Sequence, residues 1–366
     1  MKRVLVVTKF LPTGHAFGGM TRTMRLLEAL RERFEVEVVG FVEKGEPAIR
    51  GRLSSLVTGL ATGRAYQMAR YDTPWLRREV ATRMASFRPD AMHVDYLQLA
   101  DVAWGWDLPR LLDLHNVKSA LAAAVAASSS GPSRFLAGRD ARLLKTVEAR
   151  AAGVFDAITV PSAKEALRMP GNVHVVPNGV DSTRVPLDVT PEPRLACFVG
   201  QFSWPPNIDG AEWFTGEVLP LLPDDFRLRI VGRDPHPRVR ALAGPQVEVT
   251  GEVPDTWPHV SAASVVLAPL LAPGGTRHKI LEGLLAARPV VATPEAADGL
   301  EDLEGNGLVL ADGPAAFAKA VDELQREPAR AAEVGRAGRI AVVAGYEWRR
   351  SYDTLLRLYE TELGLS

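Results

Sequence analysis

The chain has 366 residues, a length that suits two α/β domains of average size better than one large core. Its content of 46% hydrophobic and 24% charged residues is typical of a folded globular protein. The formal charge of −1 provides no global field for holding nucleic acid or an anionic membrane. Any anion-binding site must therefore be local, and nucleic acid is not expected as a partner.

Cysteine use and hydropathy indicate a cytoplasmic protein. Cys197 is the only cysteine in the sequence, which excludes an internal disulfide and a multi-cysteine zinc site. The apolar run from Val4 to Val7 is short and is not followed by a small-residue cleavage site, so we interpret it as a first β-strand rather than a signal peptide. The sequence has no run of ~18 apolar residues that would predict a spanning helix.

The first half of the chain predicts a doubly wound sheet. Residues 3–8 form a continuous apolar run, the pattern of a parallel strand buried on both faces. Helical spacing begins at Thr21, with Arg22 and Arg25 away from the apolar face, and a strand pattern returns at 36–41. The later elements of this half are strands at 91–94, 110–114 and 157–160, separated by helices at 75–87 and 134–152.

The pattern restarts after a segment rich in turn residues and prolines between Val175 and Pro193, which is typical of a domain junction. We expect an N-terminal Rossmann-like domain on the acceptor side over 1–186 and a C-terminal Rossmann-like domain over 187–345. A final helix from 346 to 366 is expected to return to the N-terminal domain. The strands predicted in the second half are 195–199, 226–231, 247–250, 264–268 and 289–293, and its helices include 209–219 and 277–287.

Strand and helix signals fade between Gly45 and Arg70, where Arg50, Arg52 and Arg64 alternate with small and apolar residues. One interpretation is a solvated surface loop and helix. The other is a basic surface that meets an anionic acceptor or makes peripheral contact with a membrane.

The segment from Leu267 to Glu282 carries the clearest chemistry, because a buried strand ends there in a Gly-Gly loop that opens a helix. Amides at a helix N-terminus are unsatisfied and partly positive, so those of Gly274, Gly275 and Thr276 suit a diphosphate. Arg277 and Lys279 add two cations at the same helix start, where they oppose the helix dipole unless an anion binds. The alternative is a glycine turn followed by a basic surface helix.

Glu282 lies about a turn and a half into this helix, among Ile280, Leu281 and Leu284. A carboxylate with apolar neighbours needs a hydrogen-bonding partner, and the two hydroxyls of a ribose provide one at a suitable offset from the diphosphate. An exposed helix glutamate is the alternative.

The run Gly-Gly-Thr-Arg-His-Lys-Ile-Leu-Glu-Gly-Leu-Leu-Ala-Ala-Arg-Pro-Val-Val-Ala-Thr, over 274–293, resembles the donor-site signature of retaining glycosyltransferases of family 4. Other similar pieces cover nearly the whole chain in order. They are Gly18-Gly19-Met20, Asp113-Leu-His-Asn-Val117, Val176-Pro-Asn-Gly-Val-Asp181, Phe198-Val-Gly-Gln-Phe-Ser-Trp-Pro-Pro-Asn207, Ile230-Val-Gly232, Val249-Thr-Gly-Glu-Val253 and Tyr346-Glu-Trp348.

This resemblance implies the GT-B fold, in which two Rossmann-like domains face each other across a cleft. It implies that the second domain binds a nucleotide-diphosphate sugar, with Glu282 on the ribose and the 274–276 amides on the diphosphate. The sequence departs from many relatives at Gly274, where they have a second glutamate, and at Gln201 and Asn207, near the places where they have an arginine and a lysine. We infer that Arg277 and Lys279 take over the neutralisation of the phosphates.

Two further site residues belong to the first half. His115 follows a strand at the carboxyl edge of the sheet, where open α/β sheets bind ligands, and by resemblance it faces the transferred sugar. A histidine that caps the next helix is the alternative. By resemblance, the Gly18-Gly19 turn closes over the donor or the acceptor. The alternative is a plain tight turn.

The predicted reaction is sugar transfer to an acceptor hydroxyl that the sequence does not identify, with stabilisation of the diphosphate leaving group as the main catalytic task. No cofactor or metal is expected beyond the donor substrate, because fixed cations can replace a divalent ion. A GT-B epimerase or hydrolase and a non-catalytic sugar-nucleotide sensor are the alternatives. A nicotinamide-dependent oxidoreductase is disfavoured because the first turn lacks a compact Gly-x-Gly-x-x-Gly fingerprint.

Overall fold

The computed structural model describes residues 1–11, 18–42, 49–185, 189–272 and 278–365. They form two compact units, one of Met1–Pro177 with Ser351–Ser366 and the other of Asn178–Arg350. The sequence pattern puts the corresponding boundaries after residues 186 and 345.

A six-stranded parallel sheet forms the centre of the first unit. Its strands are β1 (Arg3–Phe10), β2 (Glu35–Phe41), β3 (Ala91–Asp95), β4 (Arg110–Asp113), β5 (Ala157–Val160) and β6 (Val173–Val175). The spatial order is β2-β1-β3-β4-β5-β6, so the direction in which strands are added reverses between β1 and β3. A crevice at such a reversal is where open α/β sheets bind ligands.

Seven helices and a 3₁₀ turn connect these strands within the described residues. They are α1 (Gly18–Arg31), α2 (Arg52–Ala61), α3 (Tyr66–Tyr71), α4 (Pro74–Phe87), the 3₁₀ turn Leu97–Ala103, α5 (Lys118–Ser128), α6 (Gly131–Ala152) and α7 (Ala163–Ala166). Helix α4 starts sharply because the Thr73 hydroxyl accepts a hydrogen bond from the Leu76 amide and proline occupies its first turn.

The second unit repeats this architecture with β7 (Leu195–Val199), β8 (Arg227–Val231), β9 (Val247–Gly251), β10 (Val265–Ala268), β11 (Val290–Ala292) and β12 (Leu308–Leu310). The order β12-β11-β10-β7-β8-β9 reverses between β7 and β10. The α-helices described within this unit are α8 (Pro205–Trp213), α9 (Pro237–Arg240), α10 (Trp257–Ala262), α11 (His278–Leu285), α12 (Pro314–Arg326) and α13 (Pro328–Gly345). A π turn, Phe214–Val218, continues α8.

The last helix, α14 (Trp348–Thr361), contributes to the core of the first unit. Its Leu355, Leu356 and Tyr359 are buried in one apolar cluster with side chains of β1 and α1. The Tyr359 hydroxyl shares a hydrogen bond of 2.7 Å with Nδ1 of His93 on β3. The C-terminal segment is therefore part of the first sheet's packing.

The predicted fold class is confirmed, because both halves are Rossmann-like α/β units with fully parallel sheets. One placement is wrong: Arg22 is not on the solvent side of α1 but only 2% exposed. Among the described helices, none has the length and apolarity needed to cross a membrane.

Candidate active site

The predicted site residues of the first unit lie at the carboxyl edge of its sheet. Nε2 of His115, which follows β4, is 2.7 Å from Oδ1 of Asp95 at the end of β3. Oδ2 of Asp95 accepts hydrogen bonds from the hydroxyls of Thr8, at 2.8 Å, and Thr23, at 2.6 Å. The carboxylate of Asp95 therefore orients the ring of His115. His115 does not cap α5, whose N-cap residue is Val117.

The second nitrogen of His115 is left available for chemistry. Nδ1 is buried and has no hydrogen-bond partner among the described residues. A carboxylate partner makes Nε2 the protonated nitrogen of the neutral ring, so Nδ1 carries the lone pair. The geometry thus presents a hydrogen-bond acceptor at the sheet edge.

A buried ion pair supports this edge. The guanidinium of Arg22 on α1 donates to both oxygens of Asp113 at the end of β4, at 2.8 and 2.6 Å, and to the carbonyl of Val176 at 2.8 Å. The Thr159 hydroxyl donates to the same carboxylate. Burial alone would raise the pKa of Asp113, but the Arg22 charge and hydrogen bonds hold it well below its usual range.

The ligand atoms of Asp95, Asp113 and His115 lie within 4.8 Å of one another, close enough for a metal ion. Each carboxylate oxygen in this group already accepts a hydrogen bond from a neighbouring side chain. The donor set is therefore organised as a hydrogen-bonded network, and the absence of a metal requirement stays a prediction.

Tyr96 completes the edge and was not identified from sequence. Its ring stacks on that of His115 with a centroid distance of 3.9 Å, and its amide donates to the carbonyl of Asp113 at 2.9 Å. Its φ is +84°, a value that is strained for a bulky side chain. Strained backbone of this kind concentrates at functional sites, where surrounding contacts hold it.

In the second unit, Lys279 on α11 reaches the end of β7. Its ammonium donates to Oδ1 of Asn207 at 2.6 Å and lies 4.5 Å from the ring centroid of Phe198. Nδ2 of Asn207 donates in turn to the carbonyl of Gln201 at 2.9 Å. Lys279 thus places a cation beside Asn207, in the segment where the resemblance led us to expect basic side chains.

Two glycines allow this close arrangement at the ends of β7 and β8. A Cβ on Gly200 would stand 2.7 Å from Nδ2 of Asn207, and a Cβ on Gly232 would stand 1.6 Å from the carbonyl oxygen of Gly200. The second distance is far inside van der Waals contact. Glycine is therefore required at Gly232 by sterics, and the strand ends approach without side chains between them.

Glu282 is half-buried on α11, which overturns the interpretation of an exposed helix glutamate. Its neighbours Ile280, Leu281 and Leu285 belong to the core of the second unit. Burial raises the pKa of Glu282 to about 7, and the charge of Lys279 acts in the opposite direction. Such a carboxyl is in place to respond to a ligand that donates hydrogen bonds.

The remaining predicted site residues give less information. Gly274, Gly275, Thr276 and Arg277 lie outside the described residues. Gly18 and Gly19 are the first residues of α1, so the backbone there is helical rather than a plain tight turn.

Two glycosyltransferase family models match the chain. Residues 17–184 match the family model described as Glycosyltransferase Family 4, and residues 193–327 match the one described as Glycosyl transferases group 1. A search of curated proteins found no significant match.

Solved structures share the fold across the chain. Sucrose-phosphate synthase from Thermosynechococcus elongatus is 18% identical with a TM-score of 0.77, and all of both chains is covered. HepE from Anabaena in complex with UDP-glucose is 14% identical with a TM-score of 0.68, covering 99% of this chain and 100% of HepE. A glycosyltransferase from Rickettsia africae is 15% identical with a TM-score of 0.67, covering 100% and 99%. The two family models, which together span most of the chain, and this shared fold identify the chain as a glycosyltransferase of the GT-B type.

The buried ion pair generates a prediction about stability. We expect Arg22→Met to lower the free energy of unfolding by ~3–5 kcal/mol at neutral pH, because it leaves the Asp113 charge buried without a partner. In the wild type the pKa of Asp113 is lower in the folded protein than in the unfolded chain, where it is about 3.9. The ionised carboxylate therefore stabilises the folded state above that pH, and this stabilisation is lost as the pH falls through the folded pKa. Without Arg22, burial raises that pKa instead, so the penalty should shrink as the pH is lowered towards ~4.

Urea denaturation between pH 4 and 8 measures this difference. Arg25→Met is the matched control, because Arg25 is on the same helix and pairs with the exposed Glu28, an interaction worth ~0–1 kcal/mol. Equal penalties for the two variants would show that the buried pair has no special weight.

Proposed function

We propose that this glycosyltransferase belongs to the retaining enzymes of family 4 and takes its sugar from a nucleotide-diphosphate donor. The observation that carries the proposal is the position of Lys279, whose ammonium donates to Asn207 in the first turn of α8 and lies over Phe198 near the end of β7. This is the edge at which the order of the second sheet reverses, and it adjoins the segment that opens α11. A cation there suits a diphosphate bound at the same crevice.

The donor is bound through two chemically distinct contacts. Lys279 and Arg277 neutralise the diphosphate with help from the amides of 274–276, and Glu282 accepts hydrogen bonds from the ribose hydroxyls. The HepE structure, which contains UDP-glucose, supports a donor of this class. A uracil base is the first one to test.

Catalysis in this proposal is stabilisation of charge on the leaving diphosphate. The acceptor hydroxyl arrives on the face that the phosphate leaves, and the phosphate oxygen accepts its proton. His115, oriented by Asp95, accepts a hydrogen bond from a hydroxyl of the transferred sugar through Nδ1. The enzyme needs neither metal nor cofactor and acts in the cytoplasm, in the synthesis of a glycan, polysaccharide or glycosylated natural product.

The donor site is tested by Glu282→Gln. We expect nucleotide binding to weaken by ~1–3 kcal/mol with the fold intact, because a charge-assisted bond is lost while volume is kept. Because the pKa of Glu282 is about 7, wild-type affinity for UDP should rise from pH 6 to 8 relative to the variant. Titration calorimetry with UDP and UDP-glucose measures both effects.

The control for that experiment is Glu323→Gln, which changes an exposed glutamate on α12. Unchanged affinity in Glu282→Gln would remove Glu282 from the site. Product analysis with UDP-glucose separates the proposal from its rivals: a transferred sugar supports it, whereas an epimer, free glucose or no turnover favours an epimerase, a hydrolase or a sensor respectively.

The leaving-group cations are tested by Arg277→Met combined with Lys279→Met, which keeps the aliphatic stems. Turnover should fall further than donor affinity, since only differential stabilisation of the transition state accelerates the step. Stability without ligand should stay close to that of the wild type, because the relieved dipole interaction of ~0.3–1 kcal/mol per cation offsets the lost Lys279–Asn207 hydrogen bond of ~0.5–1.5 kcal/mol. Near-normal turnover would mean that the phosphate is held elsewhere, and an unfolded variant would mean that these side chains are structural.

We also propose peripheral contact with an anionic membrane through α2 and α6. Leu53, Val57 and Leu60 form one face of α2 and are 76%, 57% and 51% exposed. Arg139 on α6 donates to the carbonyl of Gly59 at 2.8 Å, and the same helix carries Phe135, which is 67% exposed. The exposed Arg52 and Arg134 supply positive charge next to these apolar side chains.

Cosedimentation with phosphatidylcholine vesicles, with and without phosphatidylserine, tests this contact. We expect binding only to the anionic vesicles, weakened by salt, and weakened at least ~10-fold in the triple serine variant of Leu53, Val57 and Leu60. Leu167→Ser is the control, because Leu167 is 90% exposed elsewhere in the same unit. Equal binding by the two variants would contradict the proposal.

A further inference from the structure

Lys9 lies at the carboxyl end of β1, next to the crevice where the order of the first sheet reverses. Its ammonium is 4.3 Å from the ring centroid of Tyr96 and 5.0 Å from that of Tyr71. It forms no hydrogen bond or ion pair with any residue that the structure describes. Aromatic faces attract a cation but supply no acceptor for its protons.

The positive charges of two more basic side chains, Lys118 and Arg70, act on Lys9. Burial is the main cause that lowers the pKa of Lys9, and the charges of Lys118 and Arg70 lower it further. Arg70 on α3 donates to the neutral hydroxyl of Tyr66 at 2.8 Å, so this bond does not neutralise it. Lys118 is the first residue of α5, where a cation opposes the helix dipole.

The carboxylates near these cations already have other partners. The charge of Asp95 favours protonated Lys9, but both of its oxygens accept hydrogen bonds from Thr8, Thr23 and His115. Burial also lowers the pKa of Lys118, to about 8, against the charges of Glu165 and Glu148. Glu165 accepts from the Val117 amide, and Glu148 accepts from the Ser119 amide at 2.9 Å. Because desolvated cations are costly without partners, an anion would stabilise this arrangement.

Tyr96 connects Lys9 to His115, the residue proposed to contact the transferred sugar. One ring lies against both His115, with a centroid distance of 3.9 Å, and the ammonium of Lys9. We propose that Lys9, with Arg70 and Lys118, binds an anionic group of the acceptor, either a phosphate or a carboxylate. This rests on the proposed function, in which His115 contacts the transferred sugar. An anionic group bound at Lys9 holds the acceptor near that sugar, because the Tyr96 ring contacts both Lys9 and His115.

Binding of glucose 6-phosphate, glucuronate and glucose to the full chain tests the proposal by titration calorimetry. We expect at least one of the two anions to bind at least ~10-fold more tightly than glucose, because charge-assisted hydrogen bonds are lost with the neutral sugar. The anion that binds identifies the group as phosphate or carboxylate. Lys9→Met should weaken its binding at least ~10-fold, and Lys9→Arg should restore most of it.

Lys2→Met is the matched control, because Lys2 precedes the opposite end of β1, is half exposed and pairs with Asp90. It should leave anion binding unchanged. The same titrations in the Arg277→Met, Lys279→Met variant test whether the anion binds at the donor site instead. Because that variant lacks the proposed donor-site cations, a failure of the proposed donor site is distinguished from a failure at Lys9. Anion binding that survives in Lys9→Met, that disappears in the donor-site background, or that is absent from the wild type would overturn the proposal. Arg70→Gln, expected to weaken binding in the same direction, is the second variant should Lys9→Met not fold.

Discussion

Asp95 and Asp113 are register partners at the carboxyl ends of the neighbouring parallel strands β3 and β4, and both are fully buried. Two carboxylates so placed repel each other and lose hydration, which raises the pKa of at least one unless positive charge or hydrogen bonds compensate. Arg22 supplies that charge to Asp113 from α1, and the hydroxyls of Thr8 and Thr23 with the ring of His115 satisfy Asp95. This compensation fixes the side chains at the carboxyl edge of the first sheet. Helix α1 is tied to β4, and His115 is fixed in one orientation.

The second unit uses charge in a different way at its own reversal point. The ammonium of Lys279 donates to the neutral amide of Asn207 and lies over the neutral ring of Phe198. These two contacts hold the cation in a defined position through neutral groups. A positioned cation of this sort costs little reorganisation when a ligand anion arrives. Asp95 and Asp113 of the first unit are therefore satisfied by internal partners, whereas the Lys279 ammonium of the second unit is suited to an external anion.

Sequence patterns predicted the parallel strands well because strands buried on both faces are continuous apolar runs, and 195–199 coincides with β7. The three-residue strands β6 and β12 were missed because so short a segment has little periodicity, although the equally short β11 was predicted within 289–293. Lys279 and Glu282 were proposed as site residues because they belong to one local motif, and their roles stay predictions. Arg22 was misplaced because its partner Asp113 is 91 residues away and an arginine in a helical pattern is normally solvated. The strained backbone of Tyr96 depends on the surrounding edge and has no local signal.

By resemblance, basic residues are expected after β7, near Gln201 and Asn207, and their absence from that segment changes which element carries the charge for the proposed donor. A lysine or arginine after β7 would belong to the loop and helix that follow that strand, whereas Lys279 belongs to α11. Glu282 is three residues further along the same helix, and the charge of Lys279 lowers its pKa against the effect of burial. A phosphate that draws on the Lys279 charge would weaken this effect, while ribose hydroxyls would favour the ionised Glu282. The two contacts are thus coupled through one rigid helix, and their contributions to donor binding should not be additive, because neighbouring charges share their electrostatic field.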